Sequence, residues 1–198
     1  MEIETLPVNS ETLTEYSLIQ MVYEVKDMLS IELIDDGIGG MIFHEEVIAT
    51  PFIRDFDSLD GETPIRWLKN FNTTNWVLFL ARENGVPIGG ATVVTRTPEV
   101  NMLRGRNDIA VLWDIRVKPE KKRMGIGTRL FQAAIDWSRK QNLEYLKIES
   151  QNINVPACRF YIKQGCKLGE INRFAYTNPE LMSETMLVWY LDLKVSDS

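Results

Sequence analysis

The run Trp76-Val77-Leu78-Phe79-Leu80-Ala81-Arg82 is nearly all apolar and rich in β-formers, and it predicts a strand. Asn84-Gly85 follows, a pair that tolerates positive φ, so a hairpin turn is expected with Ile88–Thr95 as the returning strand. Gly89-Gly90 within that return signals a bulge or a close backbone approach. Ile109–Val117 is a third strand that stops before Pro119. The period then changes. Leu130, Phe131, Ala134, Ile135 and Trp137 recur at helical spacing, with Arg129, Asp136, Arg139 and Lys140 on the polar side, after a basic loop from Lys118 to Gly127. Glu144–Ser150 reads as a strand. Asn154–Gln164 reads as a helix with Gly165 as its C-terminal cap. Lys167–Phe174 and Thr185–Leu193 are the closing strands.

The first third is less regular. Residues 16–34 alternate weakly and predict the first strand. Residues 41–57 space Ile42, Phe43, Val47, Ile48, Phe52 and Ile53 among charges and predict one or two short helices. Asp57-Ser58-Leu59-Asp60-Gly61 predicts a turn, and Pro64 suits the first turn of a helix through Ile65, Trp67 and Leu68. The order β, helices, β-β-β, α, β, α, β-β predicts an α/β (α+β) fold with a mixed, mostly antiparallel sheet flanked by helices. At 198 residues a single domain over 1–198 is expected, with residues 1–75 supplying an N-terminal strand and helices on the substrate side.

Composition narrows the function. Hydrophobic residues make up 44% and charged residues 25%, which excludes disordered, collagenous and disulfide-scaffold chains. His44 is the only histidine, so no triad or metal site can use two, and Cys158 and Cys166 lack zinc-ligand spacing. No metal is expected. The thiols read as reduced, Met1–Thr5 does not resemble a secretory leader, and no apolar run nears ~18 residues, so a cytoplasmic protein that neither enters nor crosses a membrane is expected. The net charge of −6 conceals a split. Residues 1–100 carry 6 basic and 17 acidic side chains, residues 101–198 carry 16 and 11. An acidic half suits a cationic ligand and a basic half an anionic one. A pI near 5.0 and the lack of a basic helix interleaved with aromatics argue against nucleic acid.

The loop Lys121-Lys122-Arg123-Met124-Gly125-Ile126-Gly127-Thr128 joins a strand to a helix. Glycine lets a backbone approach an anion, and the first helical N–H groups favour phosphate. A Walker loop is absent from the sequence, and the third glycine of a dinucleotide loop is replaced by Leu130. What remains is a short Gly-x-Gly loop behind four cations, Lys118, Lys121, Lys122 and Arg123.

This loop is followed by a strand and then by Asn154-x-x-Ala157-x-x-Phe160-Tyr161-x-x-x-Gly165. The combination resembles the GNAT N-acetyltransferase family over about residues 76–193. Leu146-Lys147-Ile148-Glu149-Ser150-Gln151, Asp114-Ile115-Arg116-Val117 and Lys167-Leu168-Gly169 are similar to its streptothricin acetyltransferase subgroup. Two positions depart from the family pattern. Lys122 stands where the loop usually opens with Gln or Arg, and Cys166 where Phe is usual.

The resemblance implies acetyl transfer from acetyl-CoA to a primary amine of a small cationic substrate such as streptothricin, by direct attack. It implies that backbone groups of Ile115, Arg116 and Val117 pair with the pantetheine arm, with the Val117 N–H as oxyanion donor. Backbone N–H groups of Lys122, Arg123, Met124, Gly125, Ile126, Gly127 and Thr128 would cradle the pyrophosphate, and Asn154 would hold the pantetheine arm. Tyr161 matches the general acid, in contact with the coenzyme; a phenol of pKa about 10 is protonated at neutral pH. Glu149, five residues before Asn154, matches the base of the ribosomal-protein acetyltransferase subgroup. Asp114 is the alternative base. Strand alternation sets it opposite Val117 unless a bulge intervenes. Asp35, Asp36, Glu45, Glu46, Asp55 and Asp57 are candidates for steering a cation, and Trp113 and Tyr176 for lining its pocket. Two other readings stay open: a protein or peptide N-acetyltransferase, favoured by Glu149 with Tyr161, and a non-catalytic acyl-CoA-binding module. The apolar segment Met186–Leu191 is a candidate homodimer surface.

Overall fold

Strand β1 (Glu2–Pro7) ends at a proline, and Asn9 then caps helix α1 (Ser10–Tyr16). The Asn9 side chain accepts from the Thr12 N–H at 3.0 Å, and the Thr12 hydroxyl accepts from the Asn9 N–H at 3.1 Å. This reciprocal box satisfies two helix-start donors. The computed structural model describes residues 1–59 and 63–194. After α1 come β2 (Val22–Ile34), β3 (Gly40–Asp55), α2 (Trp67–Asn70), β4 (Trp76–Glu83), β5 (Val86–Val94) and β6 (Ile109–Val117). Then follow α3 (Ile126–Lys140), β7 (Tyr145–Gln151), α4 (Val155–Lys163), β8 (Lys167–Asn172) and β9 (Met186–Asp192). The expected α+β class holds, with a large, mostly antiparallel sheet and four helices among the described residues.

The chain forms two compact units. The first takes Met1–Val22, Asp55–Ile148 and the described residues from Tyr190. Here β1, β4, β5 and β6 pair antiparallel in that order, and β7 joins β6 in parallel. Asn84 (φ 51) and Gly85 (φ 80) make the expected tight turn between β4 and β5. A core of Leu13, Tyr16, Ile19, Leu78 and Leu80 is fully enclosed. Each such side chain contributes about 1.5–3 kcal/mol. Gly90 owes its identity to this packing, because a Cβ there would stand 2.6 Å from the Tyr16 ring and 2.9 Å from the Phe79 carbonyl. Helix α3 packs over β4, β5 and β6. Its buried stripe is Leu130, Phe131, Ala134, Ile135 and Ser138, while Trp137 is only half-buried. The sequence pattern puts Trp137 on the apolar side, but helical spacing gives the inner position to Ser138.

The second unit takes Tyr23–Arg54 and Glu149–Trp189. Within it β9 lies between β7 and β8. The segment Met186–Leu191 thus sits in the sheet interior, with Leu187, Val188 and Trp189 buried. The unit also holds the two-stranded ribbon of β2 and β3. This ribbon corrects the expectation of helices over 41–57. Apolar pairs five residues apart fit neither a helical nor a strand face, and a two-stranded ribbon with few buried positions needs no apolar face. The expected first strand is the second, because β1 and α1 precede it; the described residues of 1–75 hold three strands, not one. Asp57 and Ser58 of the expected turn lie in a 3-10 turn, whereas Asp60 and Gly61 are outside the described residues. Among the described residues no helix is long and apolar enough to cross a membrane.

Candidate active site

Strand β6 has two different edges. Towards β5 it pairs from Val94↔Val111 to Gly89↔Val117, with one irregularity where Thr92 faces Asp114 and Val93 faces Leu112. Trp113 is therefore the extra residue of a bulge. Towards β7 the ladder ends at Leu112↔Ile148, although β6 continues to Val117. The Lys118 N–H donates to the Ile88 carbonyl at 3.0 Å. Alternation then turns the backbone groups of Arg116 towards β5 and those of Ile115 and Val117 to the other edge. An extended chain laid along that edge would meet donors and acceptors at Ile115 and Val117.

The bulge falls before Asp114, so alternation runs regularly from Asp114 to Val117. Asp114 and Arg116 are buried on one face, while Ile115 and Val117 are half-buried. The Arg116 guanidinium bonds Asp114 Oδ2, Asp57 Oδ1 at 2.9 Å and the Ile19 carbonyl at 3.0 Å, and lies 4.9 Å from the Tyr16 ring centroid. Burial disfavours its charge most strongly of any single influence, but Asp114, Tyr16 and Asp57 together hold the guanidinium pKa above its usual value. Burial, and next Asp114, push the Tyr16 hydroxyl well up. Asp57 also accepts from the Met21 N–H at 2.8 Å.

Beyond β6, Pro119–Lys121 form a 3-10 turn, and Arg123 (φ 64) and Gly125 (φ 80) take left-handed conformations. Gly125 is the N-cap of α3, whose start has no side-chain cap and no acidic residue in its first turn. The first intrahelical donor is Arg129, to the Gly125 carbonyl at 3.1 Å. The N–H groups of Ile126, Gly127 and Thr128 thus point out of a 15-residue helix at its positive end, where an anion is favoured. Gly89 lets this turn seat on β5, since a Cβ there would come 2.9 Å from Ile126 Cγ2. Of the four cations, Lys121 pairs with Glu83, and Lys122 Nζ donates to the Val22 carbonyl at 3.0 Å. Burial lowers the Lys122 pKa. Arg123 and Met124 are exposed.

In the second unit, Glu149 stands half-buried on β7. Tyr176 Oη donates to Glu149 Oε1 at 2.9 Å, and Gln151 Nε2 donates to Tyr176 Oη at 3.1 Å. Asn154 is the N-cap of α4, its Oδ1 accepting from the Ala157 N–H at 3.2 Å. Tyr161 is buried on α4, with its ring 5.5 Å from that of Phe160 and edge-on to it. Cys158 is buried beside Ser150 Oγ at 3.4 Å, and burial pushes its thiol up, the opposite of a reactive thiolate. Burial takes Cys166 to about 12. Among the described residues no cluster of His, Cys, Asp and Glu is arranged for a metal ion.

The acidic candidates disperse. Asp35 and Asp36 turn the β2–β3 ribbon, Glu45 pairs with Arg159, Glu46 accepts from Ser30, and Asp55 accepts from the Asp57 N–H. His44 lies exposed, 2.8 Å from Glu32. Sequence reasoning missed the buried pair of Arg54 and Glu184, and also Asn152. The Asn152 side chain donates to the Leu29 carbonyl at 2.9 Å and accepts from the Thr185 N–H at 2.8 Å. No local pattern marks contacts over such separations.

The acetyltransferase (GNAT) family model matches residues 42–166. The chain belongs to this family. Streptothricin acetyltransferase A of Bacillus subtilis is 33% identical over 84 residues, which are 42% of this chain and 49% of that protein. The chain thus spans about half the length of the curated relative it matches. A crystal structure of nourseothricin acetyltransferase superposes with a TM-score of 0.76 at 18% identity, covering 98% of this chain and 99% of that one. A Bacillus anthracis protein proposed to be a streptothricin acetyltransferase, in complex with acetyl coenzyme A, gives 0.72 at 21%, covering 96% and 99%. At such identity the two structures show a shared fold. In this GNAT chain the matched span includes the outer edge of β6, the start of α3, Glu149 and Tyr161.

Proposed function

We propose that the chain is a cytoplasmic, acetyl-CoA-dependent N-acetyltransferase that acetylates a primary amine of a small cationic substrate, streptothricin. The observation that carries the reading is the uncapped start of α3 joined by a short loop to the outward backbone of Val117. A pyrophosphate suits the first and an amide-bearing arm suits the second. The residues fit the coenzyme. Lys122 through Thr128 would hold its phosphates, Ile115 and Val117 its pantetheine arm, and Asn154 that arm as well.

Acetyl-CoA supplies an activated acetyl group as a thioester. Glu149 takes the proton from the substrate ammonium, so the amine nitrogen has a lone pair with which to form the new C–N bond. The Val117 N–H donates to the carbonyl oxygen as it gains charge. Tyr161 gives its proton to the sulfur as the C–S bond breaks, and the extra proton on the attacking nitrogen passes to the phenolate as the amide forms. Asp114 is a poorer base than Glu149, because its Oδ2 is held by Arg116 and it is buried on the face opposite Val117.

The streptothricin assignment rests on the 33% identity to the Bacillus subtilis enzyme. Thiol release from acetyl-CoA, measured against streptothricin and a panel of peptides, tests it. Turnover of streptothricin and not of peptides is expected. Turnover of peptides alone would replace this substrate with a protein amine, and acetyl-CoA binding with no amine acetylated would leave a binding module.

A further inference from the structure

We propose that Tyr176 is the positioning residue of Glu149, holding the carboxylate ionised and oriented through its hydroxyl, with Gln151 fixing the direction of the hydroxyl proton. This rests on the reading of Glu149 as the base. Glu149 and Gln151 are two apart on β7 and so share a face. Tyr176 comes from the segment between β8 and β9 and bonds to both. A phenol has one proton to donate. The Gln151 amide occupies the oxygen as a donor, so that proton has one place to go, Glu149 Oε1. The arrangement favours the charged carboxylate, since a protonated one would accept a weaker bond from Tyr176.

Tyr176 keeps its proton to do this. Burial, and next the Glu149 carboxylate, push its hydroxyl far above the usual value. Other charged groups acting here include Glu184, whose carboxylate also opposes ionisation of Tyr176, and Arg54, ion-paired with Glu184. Tyr23 faces that ion pair.

A merely structural role would bind the loop to β7 without moving the titration of Glu149. The test is therefore the carboxyl 13C titration of Glu149, assigned by its loss in Glu149→Gln. Beside it stands the acid limb of kcat/KM for acetyl-CoA and streptothricin. In Tyr176→Phe both should move up by about one pH unit, since a donor to the ionised form is lost. Gln151→Met keeps Tyr176 but frees its proton to turn, and should move both in the same direction by less. A carboxyl titration that stays in place in both variants overturns the inference. A titration that moves, with an acid limb that persists in Glu149→Gln, overturns the assignment of Glu149 as base, and the positioning role falls with it.

Discussion

Arg116 grips Asp114, two residues earlier on the same strand, through Nε at 2.9 Å and Nη2 at 2.5 Å, with both side chains almost wholly enclosed (2% and 4% exposed). The same guanidinium reaches Asp57 and the Ile19 carbonyl, so one cation ties β6 to the segment after α1. It also leaves Ile115 and Val117 alone on the opposite face of β6.

Removing the cation strands a buried carboxylate. Arg116→Met should cost about 3–5 kcal/mol in urea unfolding, the usual result of breaking one side of a buried pair. Asp114→Asn added to Arg116→Met should recover part of that loss, because the uncompensated charge goes with it. A double variant less stable than Arg116→Met would mean that the bond between Tyr16 and Asp114 outweighs the cost of the stranded charge.

Tyr161 is buried on α4, and Tyr161→Phe keeps the ring that fills its space. Stability should change little. The turnover number should fall by about ten-fold or more, the scale of a lost general acid. An unchanged kcat with unchanged stability would reduce Tyr161 to a packing residue.

The turns and caps of residues 76–165 were more legible in the sequence than the first third of the fold. Asn84-Gly85, the basic Gly-x-Gly loop and Asn154 are local signals, each set by backbone conformation or capping within a few residues, and each lies where its spacing places it. Sequence reasoning missed α1, although Asn9 with Thr12, a cap before a short apolar stretch, marks it. The β2–β3 ribbon had no such mark, because exposed pairing demands no hydrophobic alternation. Tyr176 bonded to Glu149 and Arg54 paired with Glu184 join residues far apart in sequence, where only the folded chain brings the charges together.

That last pair makes stability depend on pH. Burial raises the Glu184 carboxyl from an ordinary 4.5 to about 6, and the Arg54 guanidinium offsets only part of the rise. The folded state thus takes up a proton more readily at Glu184 than the unfolded chain does. Its contribution is complete below pH 4.5 and is lost as pH rises through 6. The difference amounts to about 2 kcal/mol. Glu184→Gln removes the titration while keeping the shape and a hydrogen-bond acceptor for Arg54. The stability of the natural protein relative to this variant should therefore fall by about 2 kcal/mol between pH 4.5 and the region above 6, read from urea midpoints at each pH. A difference that stays flat across that window would mean that Arg54 fully compensates the burial of Glu184. A difference that grows with pH would mean that the ion pair outweighs burial altogether.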